Sequence, residues 1–219
     1  GQDLWAPVPP SSFHVLQGAQ VIANLSADRE LLMREQYRNN LLGQHSAKSL
    51  CGYVYASAGF GESTQDNVYS GSASIWESGQ KLAANERYSM ESTLITADID
   101  YERIEGFRRK AAGFCNVSPT GTDASTYYRS YNRVNIGDPN NTDFEKELCR
   151  YVEPHPFVPE NDLDYRCQEI LSMQTVALAT RLNHIKCRSA VIGISGGLDS
   201  TLALLVTVLA ADRLGWSRD

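Results

Sequence analysis

The sequence predicts an α/β protein, and two strand–helix steps carry this prediction. Residues 20–25 form a short apolar run, and a pattern at near-helical spacing follows from Asp28, the predicted N-cap, to Leu50. A second apolar run, residues 190–194, precedes a glycine-rich loop and an apolar helix that begins near Asp199. Short apolar runs are typical of buried strands, and strands that alternate with helices build helix-covered sheets.

The middle of the chain predicts further strands. Residues 53–58 are rich in β-formers, residues 72–76 and 81–84 form a predicted hairpin, and residues 94–99 alternate like a strand. A charged helix is predicted over residues 101–110. The chain therefore contains more than one strand before its glycine-rich loop.

Two domains joined by a connector are expected. The domains are residues 1–113 and 160–219, and the second opens with a predicted helix over 163–183. The connector, residues 114–159, has little periodicity and ends in a proline-rich segment. Both ends of the chain are expected to lie inside a longer polypeptide, because one strand and one helix cannot bury both faces of that strand.

Composition excludes several classes of protein. The 219 residues carry a formal net charge of −6, which argues against a nucleic-acid-binding surface. No apolar run approaches the roughly 20 residues that a membrane span needs, so a cytoplasmic protein is expected. Five cysteines without a CxxC pair predict reduced, structural thiols; they are Cys51, Cys115, Cys149, Cys167 and Cys187.

The loop at residues 195–200, Ser-Gly-Gly-Leu-Asp-Ser, predicts an anion site. Between a strand and a helix, free backbone N–H groups converge on one point and the helix dipole favours negative charge. Glycines let a phosphate approach the main chain, and the serine hydroxyls add donors.

Asp199 refines this prediction. A carboxylate beside a phosphate repels it unless a divalent cation lies between them, so Asp199 is predicted to bind Mg²⁺ on a nucleoside triphosphate. The loop is not a Walker A motif, which requires a lysine after the glycines. The predicted ATP-binding residues are Gly193, Ile194, Ser195, Gly196, Gly197, Leu198, Asp199 and Ser200.

An alternative interpretation makes Ser195 a nucleophile. Residues 193–197 also satisfy G-x-S-x-G, the nucleophile elbow of α/β-hydrolases. The elbow does not explain Asp199, and no histidine follows Ser195 in this chain. The phosphate cradle is the favoured interpretation.

A family resemblance extends beyond the loop. Residues 195–200 match the SGGxDS loop of the N-type ATP pyrophosphatases. Residues 3–11, 18–26 and 53–59 resemble the C-terminal half of a nitrilase-type glutaminase domain. Residues 156–159 and 166–167 resemble the junction of that domain to a synthetase domain. Apart from residues 113–147, the chain resembles the glutamine-dependent NAD synthetases.

The resemblance implies a fold and a reaction. Residues 1–113 would form the C-terminal half of an αββα nitrilase-like sandwich, and residues 160–219 the first helix, strand and helix of a doubly wound parallel-sheet domain. The implied enzyme adenylates the carboxylate of deamido-NAD with ATP and Mg²⁺, and ammonia, supplied free or from glutamine, then displaces AMP. A homo-oligomer that binds neither nucleic acid nor membrane is expected.

The chain departs from that family at its glutaminase residues. The family nucleophile lies in a Cys-Glu-Asp-Leu-Trp segment, whereas Gly1 and Gln2 precede Asp3 here, so no catalytic glutaminase residue is expected in this chain. The family's glutamine-binding serine and arginine fall on Asp28 and Arg34. Arg34 is a predicted glutamine ligand or a solvated helix arginine, and Asp28 is not assigned to glutamine. Two alternatives stay open, another amidotransferase with the same ATP loop and a catalytically inactive nitrilase-like binding module.

Overall fold

The computed structural model describes residues 2–63, 65–115, 134–137, 148, 150–158 and 161–217. The chain forms two compact units, Gly1–Tyr151 and Val152–Asp219. Their border lies inside the predicted connector, residues 114–159, and the predicted domain limits themselves remain predictions. No helix in the described residues combines the length and the apolar character that crossing a membrane requires.

The first unit holds a mixed four-stranded sheet with the strands in chain order. The strands are β1 (Val21–Ser26), β2 (Gly52–Ser57), β3 (Ala73–Glu77) and β4 (Gln80–Ala84). β1 and β2 are parallel, and the other neighbours are antiparallel. The predicted α/β class, the first two strands and the hairpin are confirmed.

The described helices are α1 (Pro10–Leu16), α2 (Arg34–Ser49), α3 (Tyr101–Lys110) and α4 (Ala112–Cys115) in the first unit, and α5 (Leu163–His184) and α6 (Leu198–Arg213) in the second. A 3₁₀ turn, Gln2–Trp5, precedes α1. The predicted helices at 101–110 and 163–183 are confirmed. The side chain of Asp100 caps α3 by accepting a hydrogen bond from the Arg103 N–H at 2.8 Å, as expected for an N-cap aspartate.

Helix α2 connects the two parallel strands and covers the sheet. Its Leu42 is fully buried against Tyr53, Tyr55 and Trp76 from β2 and β3. Cys51, between α2 and β2, is also fully buried. Burial raises the pKa of its thiol to about 11, which fits the predicted structural role.

Two predictions in the first unit are wrong. Asp28 does not cap α2, because the helix begins at Arg34 and the Asp28 carboxylate binds the Arg34 side chain instead. Residues 94–99 form no strand. A strand is defined by its ladder of hydrogen bonds, and this segment does not join the described sheet beside β4.

The second unit is built on the pair α5 and α6. The two helices pack through Ala179, Leu182 and Ala210. The predicted strand at residues 190–194 is not formed, because no described strand of this unit pairs with it; Val191 is 99% exposed. Helix α5 covers one face of α6, and Leu205 on α6 is 47% exposed.

Candidate functional site

The glycine-rich loop forms a sharp turn into α6. Gly196 adopts a left-handed conformation with φ of +84°, which only glycine reaches without steric cost. Gly197 is extended and forms the N-cap of α6 without a side-chain capping bond. The first N–H groups of a helix have no intrahelical partner, so this uncapped end presents donors to an anion.

Three hydroxyl groups surround this turn. The Ser200 and Thr201 hydroxyls donate to the Gly197 carbonyl at 3.0 and 2.9 Å. The Ser195 Oγ lies 3.3 Å from the Ser200 Oγ, across the loop. The structure thus brings Ser195 and Ser200 together beside the start of α6, while Gly193 and Ile194 lie in the exposed segment that leads to the turn.

Asp199 lies in the first turn of α6 and is exposed, as is Leu198. In the described residues, no group of three His, Cys, Asp or Glu side chains converges on one metal position. A protein-only metal cage is therefore absent from that part of the chain. A single exposed carboxylate beside the first N–H groups of a helix is compatible with Mg²⁺, which commonly uses one or two carboxylates together with substrate phosphates.

The loop conformation disfavours the nucleophile elbow. An elbow places its serine at the strained point of a strand-to-helix turn. Here the left-handed position is Gly196, and no strand precedes Ser195. Ser195 is exposed, but it is not the residue at the strained point of the turn, so the loop differs from a nucleophile elbow.

Arg34, the predicted glutamine ligand, forms an ion pair with Asp28 of the same chain. Its Nε and Nη2 donate to the two oxygens of Asp28 at 2.9 and 2.8 Å. The guanidinium also lies over the Trp5 ring, 4.1 Å from its centroid. The hydrogen bonds to Asp28 raise the pKa of Arg34, against the opposing effect of burial. Gly1, the predicted nucleophile position, lies outside the described residues.

A buried charged cluster near Arg34 was missed by the sequence analysis. The Glu30 side chain is 4% exposed, and its Oε2 accepts hydrogen bonds from Ser70 Oγ at 2.5 Å and from Arg38 Nη2 at 3.1 Å. Arg38 is 1% exposed and lies over the Tyr55 ring. Arg38 looks like a solvated helix arginine in the sequence, and Ser70 is 40 residues from Glu30. No spacing or motif within a few residues of the sequence predicts this cluster.

The chain is similar along almost its whole length to curated glutamine-dependent NAD(+) synthetases. It is 38% identical over 224 residues to that of Mycobacterium bovis and 36% identical over 226 residues to that of Mycobacterium leprae, in each case over 99% of this chain. The Thermotoga maritima protein of the same name is 27% identical over 98% of the chain. The chain spans about a third, 32%, of the length of the mycobacterial relatives. No family model matches the sequence.

Two solved structures show weaker similarity. A glutamine-dependent NAD(+) synthetase from Cytophaga hutchinsonii matches 36% of this chain and 13% of its own, with 28% identity and a TM-score of 0.34. A carbon-nitrogen hydrolase from Helicobacter pylori matches 59% of this chain and 47% of its own, with 18% identity and a TM-score of 0.44.

Proposed function

We propose that this chain is part of an ATP-dependent ligase that converts deamido-NAD to NAD. The observation that carries the proposal is the N-terminus of α6. It follows a left-handed glycine, has no side-chain cap and holds Asp199 in its first turn. The similarity of 99% of the chain to glutamine-dependent NAD(+) synthetases supports deamido-NAD as the proposed substrate. In this proposal the first unit is nitrilase-like, and the second unit is the beginning of the synthetase domain. The whole enzyme is proposed to be cytoplasmic and homo-oligomeric.

The reaction needs ATP because a carboxylate is a poor electrophile. In the first step, a carboxylate oxygen of deamido-NAD bonds to the α-phosphorus of ATP, and pyrophosphate leaves. In the second step, the nitrogen of ammonia bonds to the acyl carbon, the bond to AMP breaks, and a proton passes to solvent. The product is the amide, and the protein must stabilise the charge that develops on pyrophosphate.

The loop residues supply that stabilisation in the proposal. The backbone N–H groups at the start of α6 and the Ser195 hydroxyl hold the phosphate oxygens, and the Ser200 hydroxyl joins them when it rotates away from the Gly197 carbonyl. Gly196 and Gly197 keep the approach to the main chain open. Asp199 holds Mg²⁺, which neutralises phosphate charge when bound.

Ammonia, free or released from glutamine, is the proposed nitrogen donor. The bidentate contact of Arg34 with Asp28 occupies the Nε and Nη2 edge of the guanidinium and places a negative charge beside it, which disfavours the approach of a glutamine carboxylate. We therefore propose that this chain in its present conformation does not retain glutamine through Arg34.

The proposal is tested by the variant Asp199→Asn in the full-length protein. Pyrophosphate release that depends on deamido-NAD, ATP, Mg²⁺ and ammonia is expected to fall at least about tenfold, because the neutral amide oxygen binds Mg²⁺ more weakly than the carboxylate does. Asp164→Asn is the matched control, since Asp164 is also an exposed acid in the first turn of a helix of the same unit. Activity that persists in Asp199→Asn contradicts the assigned role. Release that depends instead on XMP, aspartate or citrulline identifies another amidotransferase.

A further inference from the structure

A buried carboxylate at the end of β3 binds an arginine of the connector. The Glu77 side chain is 3% exposed, and that of Arg150, which lies 73 residues further along the chain, is 12% exposed. Arg150 Nη1 donates to Glu77 Oε2 at 2.6 Å, and Arg150 Nη2 donates to Glu77 Oε1 at 2.8 Å. Two parallel hydrogen bonds of this kind form the strongest type of contact between an arginine and a carboxylate.

The same carboxylate also binds the start of α3. The Asp100 N–H donates to Glu77 Oε2 at 2.8 Å, and Arg150 Nη1 reaches the Asp98 carbonyl at 3.4 Å. Both oxygens of Glu77 therefore have donors. One carboxylate joins the end of β3, the segment that precedes α3 and the connector.

Burial distinguishes this pair from an ordinary surface ion pair. Exposed pairs contribute little, because water and salt screen them. The pair of Arg109 with Glu105 on α3 is of that kind, with a distance of 3.9 Å and side chains that are 70% and 51% exposed. Breaking a buried pair leaves a charge without compensation, which is costly. Glu77 is therefore expected to hold Arg150 firmly on the first unit.

The contact lies next to the border between the two units. The first unit ends at Tyr151 and the second begins at Val152. The chain is exposed directly after Arg150, with Tyr151 at 69%, Val152 at 64% and Phe157 at 96%. The pair thus fixes the chain at the last position before this exposed stretch.

We propose that Glu77 and Arg150 form a latch that fastens the connector to the first unit at residue 150 and protects the Tyr151–Val152 bond from proteases. The bond becomes cleavable when the pair breaks. The inference rests on the first unit alone and is independent of the ligase proposal, which depends on the loop at residues 195–200. The two can therefore fail separately.

The test is limited digestion of the full chain with chymotrypsin, which cuts after aromatic residues. A protease cuts a bond only after the chain around it has opened, so the rate of cutting reports the opened population. Tyr151 lies beside the latch, whereas Phe157 lies beyond it and is the internal reference. Peptide mass spectrometry measures both cuts in one sample. In the original chain, cutting after Tyr151 is expected to be at least about tenfold slower than after Phe157.

Two variants open the latch from its two sides. Arg150→Met and Glu77→Gln are each expected to speed cutting after Tyr151 at least about tenfold and to leave cutting after Phe157 unchanged. Glu77→Gln leaves the sequence at the cleaved bond intact, so a change in protease preference cannot explain its effect. Arg103→Met is the matched control, because Arg103 lies 3.9 Å from the same carboxylate and is 48% exposed. It is expected to keep cutting after Tyr151 slow.

Labelling of the buried Cys51 by iodoacetamide shows whether each variant keeps its fold. Arg150 lies outside the described helices and strands, so Arg150→Met is expected to spare Cys51 and decides the question if Glu77→Gln unfolds. Equal cutting after Tyr151 and Phe157 in the original chain, or slow cutting after Tyr151 in Arg150→Met, overturns the proposal. Equal acceleration in Arg103→Met, or labelling of Cys51 in Arg150→Met, also overturns it, since the pair would then support the whole fold and not the connector.

Discussion

Asp28 and Arg34 form a bidentate ion pair, with Arg34 Nε and Nη2 at 2.9 and 2.8 Å from the two carboxylate oxygens. The Asp28 side chain is 7% exposed and that of Arg34 is 28% exposed. This pair takes up one of the two guanidinium edges that bind carboxylates and sets a negative charge beside the other, so it opposes the binding of an external carboxylate to Arg34.

The first prediction is that Asp28→Ser exposes Arg34 to ligands. Because the serine lacks the carboxylate, the variant is expected to bind glutamine at least about tenfold more tightly than the original chain in calorimetric titration. The double variant Asp28→Ser with Arg34→Gln is the control and is expected to lose the gain. Equal glutamine binding before and after Asp28→Ser would show that the ion pair does not block the site.

The second prediction concerns the reactivity of two thiols. Cys51 is fully buried with a pKa raised to about 11, whereas Cys167 is an exposed free thiol. Only the thiolate is nucleophilic, so iodoacetamide at pH 8 is expected to label Cys167 and to spare Cys51 until the chain is unfolded in urea. Peptide mass spectrometry measures both sites in one sample. Comparable labelling of the two in the folded chain would contradict the structural role of Cys51.

What the sequence could predict depended on how local the determining interactions are. The helix Tyr101–Lys110 and the β3–β4 hairpin follow from periodicity and turn residues within a few positions, and both predictions are confirmed. The turn at Gly196 is equally local, because a left-handed residue between a loop and a helix favours glycine.

The failed predictions depended on partners far away in the chain or absent from its described part. Residues 190–194 have the composition of a buried strand, but pairing requires a neighbouring strand, and none is described beside them. Asp28 resembles an N-cap in sequence, and only the fold shows that its carboxylate faces Arg34. The Glu30 and Ser70 contact joins two loops 40 residues apart, beyond the reach of periodicity.

The third prediction is a pH dependence of stability that originates in His45. Its Nε2 lies 2.8 Å from the Ser11 Oγ, and its ring meets the edge of Tyr53 in a core contact. Burial, with a smaller contribution from repulsion by Lys48, lowers the pKa of His45 below its usual value near 6.5.

The sign follows from proton linkage. With a lowered folded-state pKa, the unfolded chain binds more protons below about pH 6.5, so the free energy of unfolding is highest above that pH and falls as the pH drops towards the folded-state pKa. Urea unfolding at pH 7.5 and pH 5.5 is expected to show a smaller loss of stability in His45→Gln than in the original chain. His155→Gln changes an exposed histidine and is expected to keep the original slope. An unchanged slope in His45→Gln would mean that other groups, and not this half-buried ring, set the acid sensitivity of the first unit.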